Sequence, residues 1–391
     1  VFETTSDEQN FFEVDVKANF ETAREEDLTG SIVNSISYGL NKPSDYFLRN
    51  SVGVERLNTN MDLGFKRKIS ENLRVKVGGM AELEWGSFRD GRYEFDGAEI
   101  SAELRDFYAD LTLQSGTWLR LGNQVISRGE VDSIIVTDVL SPRDNSRPGQ
   151  AELIDMRRHV PAILVSIPVS YSIVELLTTF NAGADKVAAD RRSFDSNVLF
   201  GGQDILFVGG NVSENWETML RAKFKLNGGD IAVTLGQVNW DQYSIKSPGQ
   251  IEMVINNQVS SNNEITFGYD RVSILGISGN LARSEYLFKY ELAYHSGRTF
   301  PKAENFLIPW EPYDLMVFGF GLEYTGISDI VLGTEFNGVL INDHDVSLNS
   351  DRTETGYLVQ ARWNTLNDLL SAAILHSKLN GDASSVSSLT V

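Results

Sequence analysis

LRVKVGGMAELEW, Leu73 to Trp85, sets Leu73, Val75, Val77, Ala81, Leu83 and Trp85 on one side of an extended chain and Arg74, Lys76, Glu82 and Glu84 on the other. Successive side chains of a strand point to opposite faces, so this alternation predicts a strand with one apolar and one charged face. The split recurs in FFEVDVKANFE (Phe11 to Glu21), where Phe12, Val14, Val16, Ala18 and Phe20 oppose Glu13, Asp15, Lys17 and Asn19. It recurs again in WETMLRAKFKL (Trp216 to Leu226), with Trp216, Leu220, Ala222 and Phe224 against Glu217, Arg221, Lys223 and Lys225.

A soluble sandwich also alternates, so the connections between strands decide the class. Short links occur at SEN (Ser70 to Asn72), SGT (Ser115 to Thr117), NGG (Asn227 to Gly229), TGIS (Thr325 to Ser328) and LND (Leu366 to Asp368). Between them lie long polar segments: Thr22 to Arg56, Gly86 to Gly97, Arg128 to His159, Ala182 to Glu214, Asp241 to Asn263, Ser296 to Pro312 and Asn342 to Thr353. Short turns at one end and long loops at the other are the pattern of a transmembrane antiparallel β-barrel, with the turns periplasmic and the loops extracellular. An even strand number then predicts about 16 strands: about 15 within the chain, and a closing strand expected beyond residue 391. Residues 1–391 read as one barrel, and the apolar stripe of each strand faces lipid while the charged stripe faces a wet lumen. Trp85, Trp118, Trp216, Trp240 and Trp363 all fall at predicted strand ends, where an aromatic girdle is expected. At LRDFYA, Leu104 and Phe107 belong to one face yet stand three apart, which predicts a β-bulge.

Composition removes several classes of function. With 34 Lys and Arg against 54 Asp and Glu, a formal charge of −20, the chain lacks the basic face that nucleic acid requires. Net charge alone predicts cation selectivity in a channel. The absence of cysteine removes disulfide frameworks, thiolate metal sites and Cys nucleophiles. No apolar run approaches the roughly 20 residues of a membrane helix. The opening VFETTSDEQN lacks the form of a signal peptide, so an exported protein is expected here in its mature form. None of His159, His295, His344 and His376 stands beside a GxSxG element, and no carboxylate pair stands out, so no catalytic residue is assigned and no enzyme is expected. Asp343, His344 and Asp345 in NDHDV read as a solvated loop tip rather than a metal site. No cofactor is expected either. In FGFGLE, Gly319 and Gly321 lie within a strand and make room on the lumen side.

The segment Arg128 to His159 joins the fifth strand to the sixth and is therefore the third external loop. It holds five Arg, six Asp or Glu and no Lys. Arg suits fixed pairing with carboxylates, through its planar fork of donors. Asp132, Asp138, Arg143, Asp144, Arg157 and Arg158 are placed at a constriction, or pin the loop by mutual ion pairs. The lumen wall is assigned to Arg74, Lys76, Glu82, Glu84, Glu99, Glu103, Arg120, Arg221 and Lys223. The loop's Arg residues are expected to pair partly with their own acids and partly with Glu82, Glu84, Glu99 and Glu103.

LGNQVISRGEVDSIIVTDVLSPRD followed by RRHVPAILVSIPVSYSIVELLTTF resembles the outer-membrane barrel family called DUF1302, distantly similar to alginate-export-type porins. Gly122, Gln124, Gly129, Glu130, Ser141, Pro142, Asp144, Arg158, Val160 and Pro161 carry the resemblance, and Arg128 stands where that family has an aromatic. The resemblance implies an outer-membrane channel of a Gram-negative bacterium, surrounded by lipid bilayer and lipopolysaccharide. By analogy of fold, the third loop of sixteen-stranded porins turns into the barrel. Two functions follow as expectations. One is a channel for small or mid-sized solutes with the charged loop as its constriction. The other is a structural or docking barrel that holds a periplasmic or surface partner, with a periplasmic or membrane partner protein as one candidate.

Overall fold

A computed structural model describes residues 26–39, 53–89, 92–95, 97–144, 156–180, 183, 185–186, 208–209, 216–242, 244–247, 266–302, 310–365, 370–379 and 385–390. The first strands are β1 (Glu26–Gly39), β2 (Gly53–Ser70), β3 (Leu73–Glu84), β4 (Ser87–Arg89), β5 (Arg92–Glu94), β6 (Glu99–Thr112) and β7 (Trp118–Gln124). Then come β8 (Val160–Val169), β9 (Ser172–Thr179), β10 (Val208–Gly209), β11 (Glu217–Leu226), β12 (Gly229–Asn239), β13 (Ser244–Ser247) and β14 (Thr266–Gly268). The last are β15 (Arg271–Arg283), β16 (Tyr286–Phe300), β17 (Glu311–Ile327), β18 (Ile330–Ile341), β19 (Thr353–Thr365), β20 (Leu370–Leu379) and β21 (Ser385–Thr390).

Sixteen of these form one sheet in the order β1-β2-β3-β6-β7-β8-β9-β11-β12-β15-β16-β17-β18-β19-β20-β21, and each pairs antiparallel with the next. This is the all-β barrel architecture that alternation and loop rhythm predict. Among the described residues no helix is long and apolar enough to cross a membrane, which says nothing against crossing by strands. The remaining strands build a two-stranded sheet (β4-β5) and a three-stranded sheet (β10-β14-β13) inside the long connections. Five of the tight turns hold a residue in the left-handed region: Gly116, Ser170, Gly228, Ser284 and Asp329.

The two faces differ as a bilayer demands. Along β15, Val272, Ile274 and Gly276 are buried while Ser273 and Leu275 between them are exposed, and the same alternation runs through β16, β17 and β18. The outward face is apolar: Leu63, Phe65, Leu104, Phe107, Leu121, Phe224, Leu275, Phe320 and Phe336 are all exposed. Outside a membrane such a continuous apolar belt would be a large cost in water. The bulge is present: Val77 pairs with Phe107 and Gly79 with Leu104, so Arg105 and Asp106 oppose the single residue Gly78. Leu104 and Phe107 consequently share the outward face, at 57% and 56% exposure.

Several expectations are corrected. Glu26–Gly39, read within the long segment Thr22 to Arg56, is a strand of the main sheet, because Leu28, Ile32 and Ile36 keep the apolar phase although Gly30 and Asn34 interrupt it. The strand expected at Phe11 to Glu21 and the turn at LND lie outside the described residues. The closing strand expected beyond residue 391 is not needed to reach sixteen, since Ser385–Thr390 pairs with β20. That segment is short and half serine, so its strand character comes from the free edge of β20 rather than from its own periodicity. The tryptophans divide. Trp85, Trp216 and Trp363 are exposed on the outward face, whereas Trp240 is buried and Trp118 lies on the inner face beneath Arg120.

Candidate functional site

The inner face of the sheet is not uniformly charged, contrary to the simple lumen expected from alternation. Toward the long-loop end it carries apolar side chains, among them Leu177, Met219, Val272, Ile274, Leu315 and Val317, all buried. Against them pack Val131, Val136, Val139 and Leu140 of the Arg128 to His159 segment, in one continuous apolar cluster. The seat is shaped by two glycines. A Cβ on Gly319 would stand 2.7 Å from Val131 Cγ2, and one on Gly276 would stand 2.6 Å from Thr137 Cγ2. Gly319 therefore makes room on the inner side, as its place in the strand suggests.

The segment is hung from wall carboxylates by its own backbone. The Glu130 N–H, the Val131 N–H (2.8 Å), the Thr137 N–H (3.1 Å) and the Thr137 hydroxyl (2.8 Å) all donate to Glu291 of β16. The Asp132 and Ser133 N–H groups donate to Glu335 of β18, at 3.1 and 2.8 Å. His295 Nε2 meets the Val136 carbonyl at 2.8 Å, a contact that requires the proton on Nε2. An irregular segment cannot pair its backbone in a ladder, so these bonds supply what a strand neighbour otherwise would. Hydrogen bonds to ionised acceptors are each worth roughly 1.5–3 kcal/mol.

A chain of charges continues from this anchor. Arg128 lies 3.2 Å from Glu175, Glu175 lies 3.3 Å from Arg221, and Arg221 lies 3.8 Å from Glu130, which also accepts from Asn280 at 3.0 Å. Burial pushes the Glu130 carboxyl above its ordinary value, against the pull of the Asn280 hydrogen bond. Asp138 and Arg157 form a buried ion pair at 2.6 Å, and Asp138 also accepts from the Arg128 N–H at 2.8 Å. The neck of the segment is tied by Arg158 N–H to Pro142 O (2.7 Å), Asp144 N–H to Met156 O (2.6 Å) and Ile126 N–H to Ser141 Oγ (2.8 Å). Gly122, with φ of 137°, leaves no room for a Cβ against the Phe107 carbonyl. Of the residues that carry the resemblance, Ser141, Pro142, Asp144 and Arg158 tie this neck.

The predicted constriction residues divide accordingly. Asp138 and Arg157 pin the loop. The Arg143 N–H donates to Asp185 (2.7 Å) and Asp144 pairs with Lys186 (3.3 Å), both near the neck. Asp132 is half-buried and its backbone is held by Glu335. Among the described residues the carboxylates that anchor the loop are Glu175, Glu291 and Glu335, on β9, β16 and β18. Sequence reasoning missed these three. Their only signal was a carboxylate on the inner phase of an otherwise apolar strand.

The opposite wall, β2, β3, β6 and β7, carries all the assigned wall residues except Arg221 and Lys223, which lie on β11. Arg120 grips Asp110 with two bonds (2.7 and 3.1 Å) and lies over the Tyr108 ring at 4.1 Å. Lys76 pairs with Asp106 at 2.8 Å, which His159 also approaches at 3.4 Å, and Arg105 pairs with Asp62 at 3.0 Å. Glu82 accepts from Asn58 at 3.0 Å, and Glu84 stands opposite Glu99 across the β3–β6 pair. Glu99 and Glu103 are exposed, and Arg74 is half-buried. Lys223 pairs with Asp230 at 2.9 Å. In the NDHDV loop, His344 Nε2 meets Ser350 O at 2.7 Å and Asp345 accepts from the Ser347 N–H at 2.8 Å. Among the described residues no group of three or more side chains suited to a metal is brought together.

The fold of this chain is that of the outer-membrane porins. It is similar to the anion-selective porin from Comamonas acidovorans, at 9% identity over 93% of this chain and 95% of that one, with a TM-score of 0.50. OmpF of Salmonella typhi, in complex with daunomycin, is similar at 9% identity over 91% of both chains, again with a TM-score of 0.50. No protein-family model and no curated protein matches the sequence, so the resemblance to the DUF1302 family rests on its motif residues alone.

Proposed function

We propose that the chain is a channel of the Gram-negative outer membrane, and that Arg128 to His159 forms its constriction. The observation that carries this is the one-sided anchoring of the segment. Its backbone hangs on Glu291 and Glu335, on the far wall, while the polar inner face of β2, β3, β6 and β7 remains lined by half-exposed charge. A loop fixed to one side of a barrel narrows an aqueous path without filling it, and small hydrated solutes fit such a path. The surrounding lipid and lipopolysaccharide meet the apolar outward face. Purified protein in a planar bilayer tests the reading: it should show unitary conductance, and deletion of Asp132 to Arg147 should raise it. A pore that stays blocked under all conditions would favour a docking barrel instead.

A further inference from the structure

Near the long-loop end, the outward face steps from apolar to polar along one level. Thr178, Thr218, Gln237, Ser273, Ser296 and Asp314 stand side by side on β9, β11, β12, β15, β16 and β17. The next outward row toward the short turns is Leu176, Leu220, Leu235, Leu275, Tyr294 and Met316. Such a step marks where hydrocarbon gives way to headgroups, and at this end of the barrel the headgroups are those of the outer leaflet. A groove of about 330 Å³ lies across the step, lined by Leu235, Gly236, Ser273, Ile274, Leu275, Tyr294 and Ser296. Ser273 and Ser296 are short beside Leu275 and Tyr294, so the polar row leaves a notch above the apolar one, and the lining of that notch is almost wholly apolar.

A cation stands beside the notch. Arg271, the first residue of β15, is exposed. It donates through Nη2 to the Trp216 carbonyl (2.8 Å) and Gln237 Oε1 (3.2 Å), and through Nη1 to Asn239 Oδ1 (3.2 Å). These bonds leave its Nε–H for a ligand, and among the described residues no carboxylate pairs with it. Glu217, whose charge reaches Arg271, is buried and already accepts from Thr179 and from the Asn239 N–H. Asp314, the acid of the polar row, is occupied by the Tyr294 hydroxyl, Ser296 Oγ (2.7 Å) and the Gly297 N–H (3.3 Å). We propose that the notch is a lipopolysaccharide site, with an acyl chain of lipid A in the groove and a lipid A phosphate on Arg271. A guanidinium matches phosphate through its planar fork of donors, and the exposed Trp216 beside it belongs to the aromatic belt at headgroup level. An amphiphile with charge and chain adjacent satisfies both halves of the site at once, which neither a free anion nor bulk hydrocarbon does.

The site rests on placement in the outer membrane and not on conduction, so it stands or falls apart from the channel reading. Full-length protein in detergent, with a chelator present to remove bridging divalent cations, is titrated with diphosphorylated lipid A, and bound lipid is counted by native mass spectrometry. Wild type should retain lipid A, and Arg271→Gln should weaken it roughly tenfold, the loss of one charge-assisted bond. Ser273→Leu should fill the notch and weaken binding while assembly stays intact, because it adds an apolar side chain to a face that meets lipid. This variant decides the matter if Arg271→Gln fails to fold. Arg283→Gln, at the β15–β16 turn, should bind as wild type does. Dephosphorylated lipid A should bind wild type as weakly as the diphosphorylated form binds Arg271→Gln. Lipid A retained equally by wild type, Arg271→Gln and Ser273→Leu would be non-specific contact and would overturn the site. Phosphatidylglycerol bound as tightly as lipid A would overturn it too, by assigning the groove to phospholipid. A dimer or trimer lost in Ser273→Leu, with lipid A binding unchanged, would assign the groove to a second copy of the chain instead.

Discussion

Arg157 shows how a residue's environment changes what its substitution means. In the sequence it is one of two adjacent loop cations, placed at a constriction or pinning the loop by ion pairs. Its guanidinium lies buried, 2.6 Å from Asp138. Arg157→Gln leaves a buried carboxylate without its partner, which costs about 3–5 kcal/mol. We expect Arg157→Gln to loosen the loop, read as faster hydrogen exchange at Val131 to Thr137, while Arg158→Gln changes selectivity with little loss of protection. Equal effects of the two would contradict the buried pair. Val77 illustrates the outward face. It points to lipid, so Val77→Arg should impair assembly by roughly 2–4 kcal/mol, whereas Glu103→Arg, on the inner phase of β6, should assemble normally. Urea-dependent folding into vesicles distinguishes them.

At the scale of elements, the β13–β14 pair inside a long connection is tied to the barrel by polar anchors. Asp270 is the clearest. Ser244 donates to it at 2.7 Å, Thr299 donates through its N–H at 2.9 Å and its hydroxyl at 2.7 Å, and Lys246 pairs with it. Partial burial opposes ionisation of this carboxyl, yet the Lys246, Thr299 and Ser244 hydrogen bonds outweigh it and hold the group below the ordinary carboxylate value. A depressed folded pKa contributes stability that is fully present above the unfolded value, near 4, and is lost as pH falls through the folded one. The β13–β14 pair should therefore become protease-sensitive below about pH 4, and Asp270→Asn should show that sensitivity at neutral pH. If protection of the wild-type loop does not fall at any pH below about 4, the anchor is not ionic.

For the whole molecule, the alternation of short and long connections fixes orientation. A protease-cleavable tag placed in DGRYEFDG, around β5, should be cut on intact cells. The same tag at NGG, Asn227 to Gly229, should be protected until the outer membrane is opened. The reverse pattern would invert the topology. Most of the sixteen-stranded sheet follows from this pattern and the sequence's two-residue period, and both are local properties of the chain.

Most strands, the bulge at Leu104 to Phe107 and the lipid face were legible in the sequence, because side-chain direction in a strand repeats every two residues whatever the rest of the chain does. β1 and β21 were not, since Gly30 and Asn34 break the apolar phase of one and serines fill the other, and pairing with β2 and β20 supplies what their own residues lack. Trp118 and Trp240 stand at strand ends as expected but face inward, Trp118 in phase with Arg120. The loop could be recognised as special by its Arg-only cations, but not its seat. Glu291 and Glu335 hold backbone donors between 154 and 203 residues away in sequence. Which inward carboxylates meet the loop depends on where closing strands bring distant wall segments, and on glycines at 276 and 319 that leave space there, so only the tertiary structure decides it.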